Sequence, residues 1–383
     1  MQPEYIDNSK ALKLACTRFS HSAFVALDTE FIRQRTYHPI LALLQICDGE
    51  HLCIIDPLAI EDFSPLINLL YNEKIVKVMH AARQDLEIFY YIQGEPFKPV
   101  FDTQIASALM GYGEQIGYAA LVKELLNVEL DKSQTRTDWL KRPLSKYQIS
   151  YAADDVKYLA QLYPLQHERL AQQGRLSWLE KDFQFLSDSS TYTPDLDNLW
   201  RKVKGVNRLK RKHLSILKRL AAWRETLAVE QDRPRRRIMS DDSLIELSLN
   251  PPLTQAELNN NTYLNSHLSK QYGQQLLEVI QSGLETPEID WPAFPERYKL
   301  SRQQEALTDC LMAIVNLSAD KNNISPRCLC SRKDLEQLSR GKRDLAILNG
   351  WRYELAGKEL LGFLLGKTRL EYQAGQLRPV HSN

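Results

Sequence analysis

The sequence predicts an α/β domain with a mixed sheet, followed by two all-α helical bundles. Three observations carry this reading. Short apolar runs alternate with helical periods up to about residue 175, the pattern of an α/β domain. A polar stretch, Ser187–Asp197, then interrupts the chain. Beyond it the periodicity is helical, with almost no strand signal.

Taken in order, Phe24–Leu27 is a short apolar run, and Leu41–Cys47 and Leu52–Ile55 are two more. Asp48-Gly49 between the last two marks a turn, so they read as a hairpin. Leu66–Tyr71 ends a helix, and Ile75–Met79 is a buried-type strand. Ala81–Ile92 reads as a helix stopped by Gly94 and Pro96. Asp102-Thr103 offers N-cap chemistry before Ile105–Met110. Tyr118–Leu126 is a further helix, and a long one runs from about Ser145 to Gln172 with Gly174 as its stop. After the polar stretch, helices are expected at Leu209–Val229, Ser243–Ser248 and Leu276–Ile280. Trp291-Pro292 and Pro295 punctuate the chain before Gln303–Asn316, Arg332–Leu338 and Gly357–Leu365. The expected domains are therefore 1–190, 198–288 and 295–375.

Apolar residues make up 43% of the 383, enough for real cores. Met1–Phe19 has no continuous apolar core of the signal-peptide kind, and no run approaches the ~18 apolar residues of a membrane helix. A soluble, cytoplasmic protein with no membrane contact is expected. Six cysteines in so long a chain do not make a disulfide framework, and Cys328-x-Cys330 lacks a second pair at zinc spacing. Charge is uneven. Residues 1–190 hold 19 Lys and Arg against 25 Asp and Glu, whereas 191–383 hold 30 against 23. Arg201–Arg237 alone holds 14 basic and 3 acidic residues. An acidic half joined to a basic half fits a metal site beside a polyanion grip, although charge runs are more often solvated helix faces.

The chemistry begins at Asp28-Thr29-Glu30, which directly extends the run Phe24–Leu27 and is expected at the end of the first strand. On a strand, residues i and i+2 share a face, so both carboxylates project together. Asp85 lies in the early turns of the helix that follows Ile75–Met79, where the helix dipole alone also favours an aspartate. His80 reads equally as a core or capping histidine. Tyr151 and Asp155 are i and i+4 on the long helix and share one side of it, while Asp154 points about 100° away. An ordinary amphipathic helix gives the same pattern. Asp102 reads as a cap, with a place in the site as its alternative.

The order of D-x-E on a strand, Asp after a later strand and Y-x-x-x-D on a following helix resembles the DEDD exonuclease superfamily, in its tyrosine subgroup. Phe24–Phe31, Leu43-Leu44-Gln45-Ile46, Phe101-Asp102-Thr103 and Tyr151–Asp155 are similar to the ribonuclease D family. The basic helical half resembles HRDC domains, expected in two copies. The resemblance implies a ribonuclease H-like exonuclease fold and a 3′→5′ exoribonuclease that releases nucleoside 5′-monophosphates. Its implied catalytic set is Asp28, Glu30, Asp85, Tyr151 and Asp155. The four carboxylates would hold two divalent cations, Mg²⁺ or Mn²⁺, which favour hard oxygen ligands. Asp28 would bridge both ions, Glu30 and Asp155 would complete the nucleophile side, and Asp85 would act through water. Tyr151 would orient the attacking water, since a phenol is a poor base at neutral pH.

The implied partner is RNA with a single-stranded 3′ end, such as a tRNA precursor, met by a monomer. Basic residues of Arg201–Arg237 would contact phosphates, and Phe31 and Tyr37 are candidates to stack on bases. Two alternatives stay open. The metal chemistry is indifferent to the 2′-hydroxyl, which leaves a DNA 3′→5′ exonuclease. A non-catalytic RNA-binding scaffold is the other, although all five positions are filled. No G-x-x-x-x-G-K-[ST] phosphate loop is present, which argues against a helicase accessory.

Overall fold

The computed structural model describes residues 1–131, 137–294 and 298–381. The chain forms two compact units. One comprises Met1–Glu30, Ala42–Thr191 and Tyr298–Asn383, the other Phe31–Leu41 and Tyr192–Arg297. Pro295 lies outside the described residues.

The first unit is built on a six-stranded sheet. Its strands are β1 (Glu4–Ile6), β2 (Phe24–Ile32), β3 (Ile40–Cys47), β4 (Leu52–Ile55), β5 (Val76–Met79) and β6 (Val100–Asp102), ordered β1-β4-β3-β2-β5-β6. β2, β5 and β6 run parallel in register Val25↔Lys77 and Val78↔Phe101, while β3 and β4 are antiparallel. The sheet is therefore mixed, as expected. The β3–β4 turn is closed by Asp48, whose Oδ1 accepts from the backbone N–H groups of Glu50 and His51, and Gly49 supplies φ +98°. Helices α1 (Ser9–Phe19), α2 (Ser64–Leu70), α3 (Arg83–Gln93), α4 (Thr103–Ala108), α5 (Tyr118–Leu126), α6 (Lys146–Gln172) and α7 (Glu180–Leu186) surround it. Val78, Phe101, Ala152, Val156 and Leu159 share one buried core, which seats α6 on the sheet.

Two readings change here. β2 runs on to Ile32, so Asp28 and Glu30 sit inside a strand rather than at its end. That strand is second in the chain, because the three-residue β1 precedes it and is too short to show a period.

The second unit is helical, with α8 (Arg211–Glu230), α9 (Arg235–Ile238), α10 (Asp241–Leu249), α11 (Gln255–Asn259) and α12 (Ser266–Leu284). Leu217, Leu220, Leu244, Leu276 and Ile280 are fully or almost fully buried in its core. A Cβ on Gly283 would lie 2.6 Å from Ile216 Cα, so glycine is what lets the backbones of α12 and α8 approach. Tyr37 packs against this core and its hydroxyl donates to Glu225 Oε1 at 2.6 Å. That bond and that packing give Tyr37 a structural part in this unit. Arg224 is buried too, with Nη1 donating to Asp241 Oδ1 at 2.8 Å, so it is not among the cations open to RNA.

The chain then returns to the first unit with α13 (Arg302–Asn322), α14 (Pro326–Leu329), α15 (Arg332–Ser339), α16 (Gly350–Arg352) and α17 (Lys358–Leu364). Their own core includes Leu311, Val315, Leu335, Ile347 and Leu360. They meet the α/β part through a Trp178–Trp351 stack with ring centroids 4.4 Å apart and through Arg175 Nη2, which donates to Asn322 O at 2.6 Å. A hairpin follows, β7 (Thr368–Gln373) and β8 (Gln376–His381), where almost no strand was expected. Its strands are half solvated and polar, and its Ala374-Gly375 turn, with φ +52° and +82°, lacks the usual Asn or Asp signal. Among the described residues no helix is long and apolar enough to cross a membrane. The six cysteines are free, and burial pushes the Cys328 and Cys330 thiols up to about 12, as for inert buried thiols.

Candidate active site

Strand alternation puts the carboxylates of Asp28 and Glu30 on the same side of β2. Asp155 reaches them from the third turn of α6, whose start is fixed by a capping box between Ser145 and Gln148. Each of the three offers an oxygen within 4.8 Å of the others, the only such His, Cys, Asp or Glu cluster among the described residues. Asp85 stands outside this triad, on the first turn of α3, 8% exposed. Its Oδ1 accepts a hydrogen bond from Thr29 Oγ1, the middle residue of the D-x-E run. Sequence reasoning passed over Thr29, because a hydroxyl between two carboxylates shows no pattern of its own.

Tyr151 lies one turn before Asp155. Both line a cleft of about 510 Å³ together with Asp28, His80, Gly117, Tyr118 and Asp131. The Trp139 ring, 3% exposed, sits 6.1 Å from that of Tyr151. Asp154 is not in the lining; its carbonyl accepts from the Tyr118 hydroxyl at 2.8 Å. His80 is held by both ring nitrogens, Nδ1 against Thr103 Oγ1 and Nε2 against Ile116 O, each at 3.0 Å.

Asp102 is a cap. Its carboxylate accepts from the N–H groups of Gln104 and Ile105 at the start of α4, and from those of Ala81 and Ala82 just before α3. One buried aspartate thus starts α4 and holds Ala81 at φ +57°, fixing the turn that presents Asp85.

The electrostatics follow from crowding. Burial and the charges of Asp155 and Asp85 hold the Asp28 carboxyl well above its usual range. Burial, with Asp28 and Asp85, lifts Glu30 to about 9. Burial lifts Asp85 to about 7 against the opposing bond from Thr29. Burial, with Glu30 and Asp154, lifts Asp155 to about 8. In addition, Asp155 Oδ2 is buried with no hydrogen-bond partner among the described residues. Converging oxygen-only donors, mutual repulsion and an orphaned carboxylate oxygen together fit hard divalent cations, whose charge would relieve all three.

The chain is similar to known proteins along most of its length. Residues 3–168 match the 3′-5′ exonuclease domain family, and residues 213–280 match the HRDC domain. Ribonuclease D of Bartonella henselae is 36% identical over 376 residues, which cover 97% of this chain and 92% of that protein. Ribonuclease D of Sphingobium indicum is 38% identical, covering 97% of each. The crystal structure of Escherichia coli RNase D, an exoribonuclease involved in structured RNA processing, superposes with a TM-score of 0.79 at 31% identity, covering 96% of this chain and 99% of that one.

Proposed function

Because the chain belongs to the ribonuclease D family of 3′→5′ exoribonucleases, we propose that Asp28, Glu30, Asp85, Tyr151 and Asp155 carry its hydrolysis of RNA. The observation that carries this assignment is the meeting of Asp28, Glu30 and Asp155 oxygens within 4.8 Å, beside a cleft that Asp28 and Asp155 line together with Tyr151.

The cofactors are two divalent metal ions, and the donor set suits Mg²⁺ or Mn²⁺. When bound, such a pair stabilises charge on the attacking and leaving oxygens and lowers the pKa of water. Asp28, Glu30, Asp155 and Asp85, the last held by Thr29, would hold the pair, with Glu30 and Asp155 toward the nucleophile and Asp85 toward the leaving group. The Tyr151 hydroxyl points the attacking water at phosphorus by hydrogen bonding. Hydrolysis adds water across the P–O3′ bond. The released nucleotide keeps its 5′-phosphate and the shortened RNA keeps a 3′-hydroxyl.

RNA is the substrate, and the finer reading is a tRNA precursor with a protruding single-stranded 3′ end, processed in the cytoplasm by a monomer. The E. coli protein's part in structured RNA processing supports that choice of substrate. The proposed division of labour is an exonuclease domain at 1–190, an HRDC domain at 198–288 and a second HRDC-like bundle at 295–375. The HRDC match at 213–280 supports the second, and the separate core of α13–α17 supports the third. The test offers the enzyme a tRNA transcript with a few extra 3′ nucleotides, the mature tRNA, and a DNA strand of the same trailer sequence. Trimming should be fastest on the extended transcript and should stop near the mature end. Faster degradation of the DNA strand would return the reading to a DNA exonuclease.

A further inference from the structure

All five N–H bonds of the Arg142 guanidinium are in use. Nε and Nη2 hold Asp56 as a fork, at 2.5 Å and 2.7 Å. Nη2 also donates to Ala42 O at 2.8 Å, and Nη1 donates to Trp139 O at 2.6 Å and Lys141 O at 3.1 Å. Asp56 is itself 3% exposed and accepts from the Tyr5 hydroxyl at 2.6 Å and from Leu58 N at 3.0 Å. One side chain thus fastens residues 139–142 to β3, through Ala42, and to the residue that follows β4. The same segment is tied to α6, where Gln148 Nε2 donates to Asp138 O at 3.3 Å.

Trp139 lies between these two ties. Its ring is tilted 39° to that of Tyr151, and its Nε1 has no hydrogen-bond partner among the described residues. Packing, not hydrogen bonding by the indole, is therefore what the side chain contributes here.

We infer that Arg142 is a positioning residue for Tyr151. By fixing the Trp139 backbone it sets the plate against which the tyrosine ring rests, and so the direction of the hydroxyl in the cleft. The inference rests on the reading of Tyr151 as the group that orients the attacking water. Lysine would keep the positive charge, but three donors on a flexible stem cannot reproduce the fork and hold three carbonyls as well.

A double-mutant cycle tests it. kcat and KM on a single-stranded RNA, and the melting temperature, are measured for the full-length wild type, Arg142→Lys, Tyr151→Phe and the pair. Arg142→Lys should lower kcat about 10-fold with KM within about 2-fold, as a small misplacement does. In the Tyr151→Phe background the same change should cost less than about 2-fold, because no hydroxyl remains to be aimed. An unchanged kcat in Arg142→Lys overturns the inference, and so does an equal loss in both backgrounds. A Tyr151→Phe enzyme with wild-type kcat overturns the reading of Tyr151 itself. Should Arg142→Lys not fold, Trp139→Leu takes its place in the cycle, with non-additive losses expected and additive losses contradicting.

Discussion

Burial and crowding raise the carboxyls of Asp28, Glu30, Asp85 and Asp155 above their usual range, and this has measurable consequences. Without metal, a carboxyl whose folded pKa is raised adds stability below its unfolded pKa, and loses it as pH rises through the folded value. For Asp85, Asp155 and Glu30 the folded values are about 7, 8 and 9. The metal-free melting temperature should therefore fall as pH rises from about 4 to 9. Metal binding must displace those protons, so the rise in melting temperature produced by Mg²⁺ or Mn²⁺ should grow over the same window. A metal-induced shift that is flat with pH would contradict the clustered-carboxylate account. Asp28→Asn replaces a carboxyl whose ionisation burial and its neighbours oppose with a neutral amide. It should raise the metal-free melting temperature and abolish most of the metal-induced rise, both read by thermal denaturation. A lowered metal-free value would show that Asp28 is held by bonds rather than strained by its neighbours.

Single elements decide how well these side chains meet. α6 carries both Tyr151 and Asp155, and its first turn is fixed by Ser145 and Gln148. Ser145→Ala should cost about 1 kcal/mol of stability, the usual value of an N-cap, and should lower kcat more than KM. Chemical denaturation and steady-state kinetics report the two effects separately, and a stability loss without a kinetic one would free the cap of any part in the site. In the second unit, Gly283→Ala pushes a Cβ to 2.6 Å from Ile216 Cα, and should cost about 1–3 kcal/mol by overpacking α12 on α8. Elements of this kind were legible in the sequence where a local signal existed. Strand period aligned Asp28 with Glu30, helix period aligned Tyr151 with Asp155, and Gly94 and Gly174 stopped their helices. Asp85 was legible only through the family resemblance, since a helix N-terminus accounts equally for an aspartate there. What escaped has no local signal. The Arg142–Asp56 fork joins residues 86 apart. Lys77, a charged residue in a strand, is fully buried and satisfied by the carbonyls of Asn72, Ile75 and Lys98. β1 and the β7–β8 hairpin are too short or too polar to stand out.

At the scale of the whole molecule, the acidic site is proposed to cut the RNA and the basic helical segment to hold it. Lys210, Arg211 and Lys212 are exposed around the start of α8. Changing all three to Gln should weaken RNA binding across sequences and flatten the salt dependence of its affinity by up to about 3 in log–log slope, roughly one for each phosphate no longer neutralised. An unchanged slope would place the RNA elsewhere. The same experiment separates the halves, because kcat at saturating RNA should hold. Cutting itself is read from the fate of a 5′-labelled single-stranded RNA incubated with Mg²⁺ and either wild type or Asp28→Asn. The wild type should shorten it stepwise from the 3′ end with release of nucleoside 5′-monophosphates, and Asp28→Asn should slow this at least about 100-fold if Asp28 holds metal as proposed. Shortening by Asp28→Asn at the wild-type rate would refute hydrolysis by this carboxylate cluster.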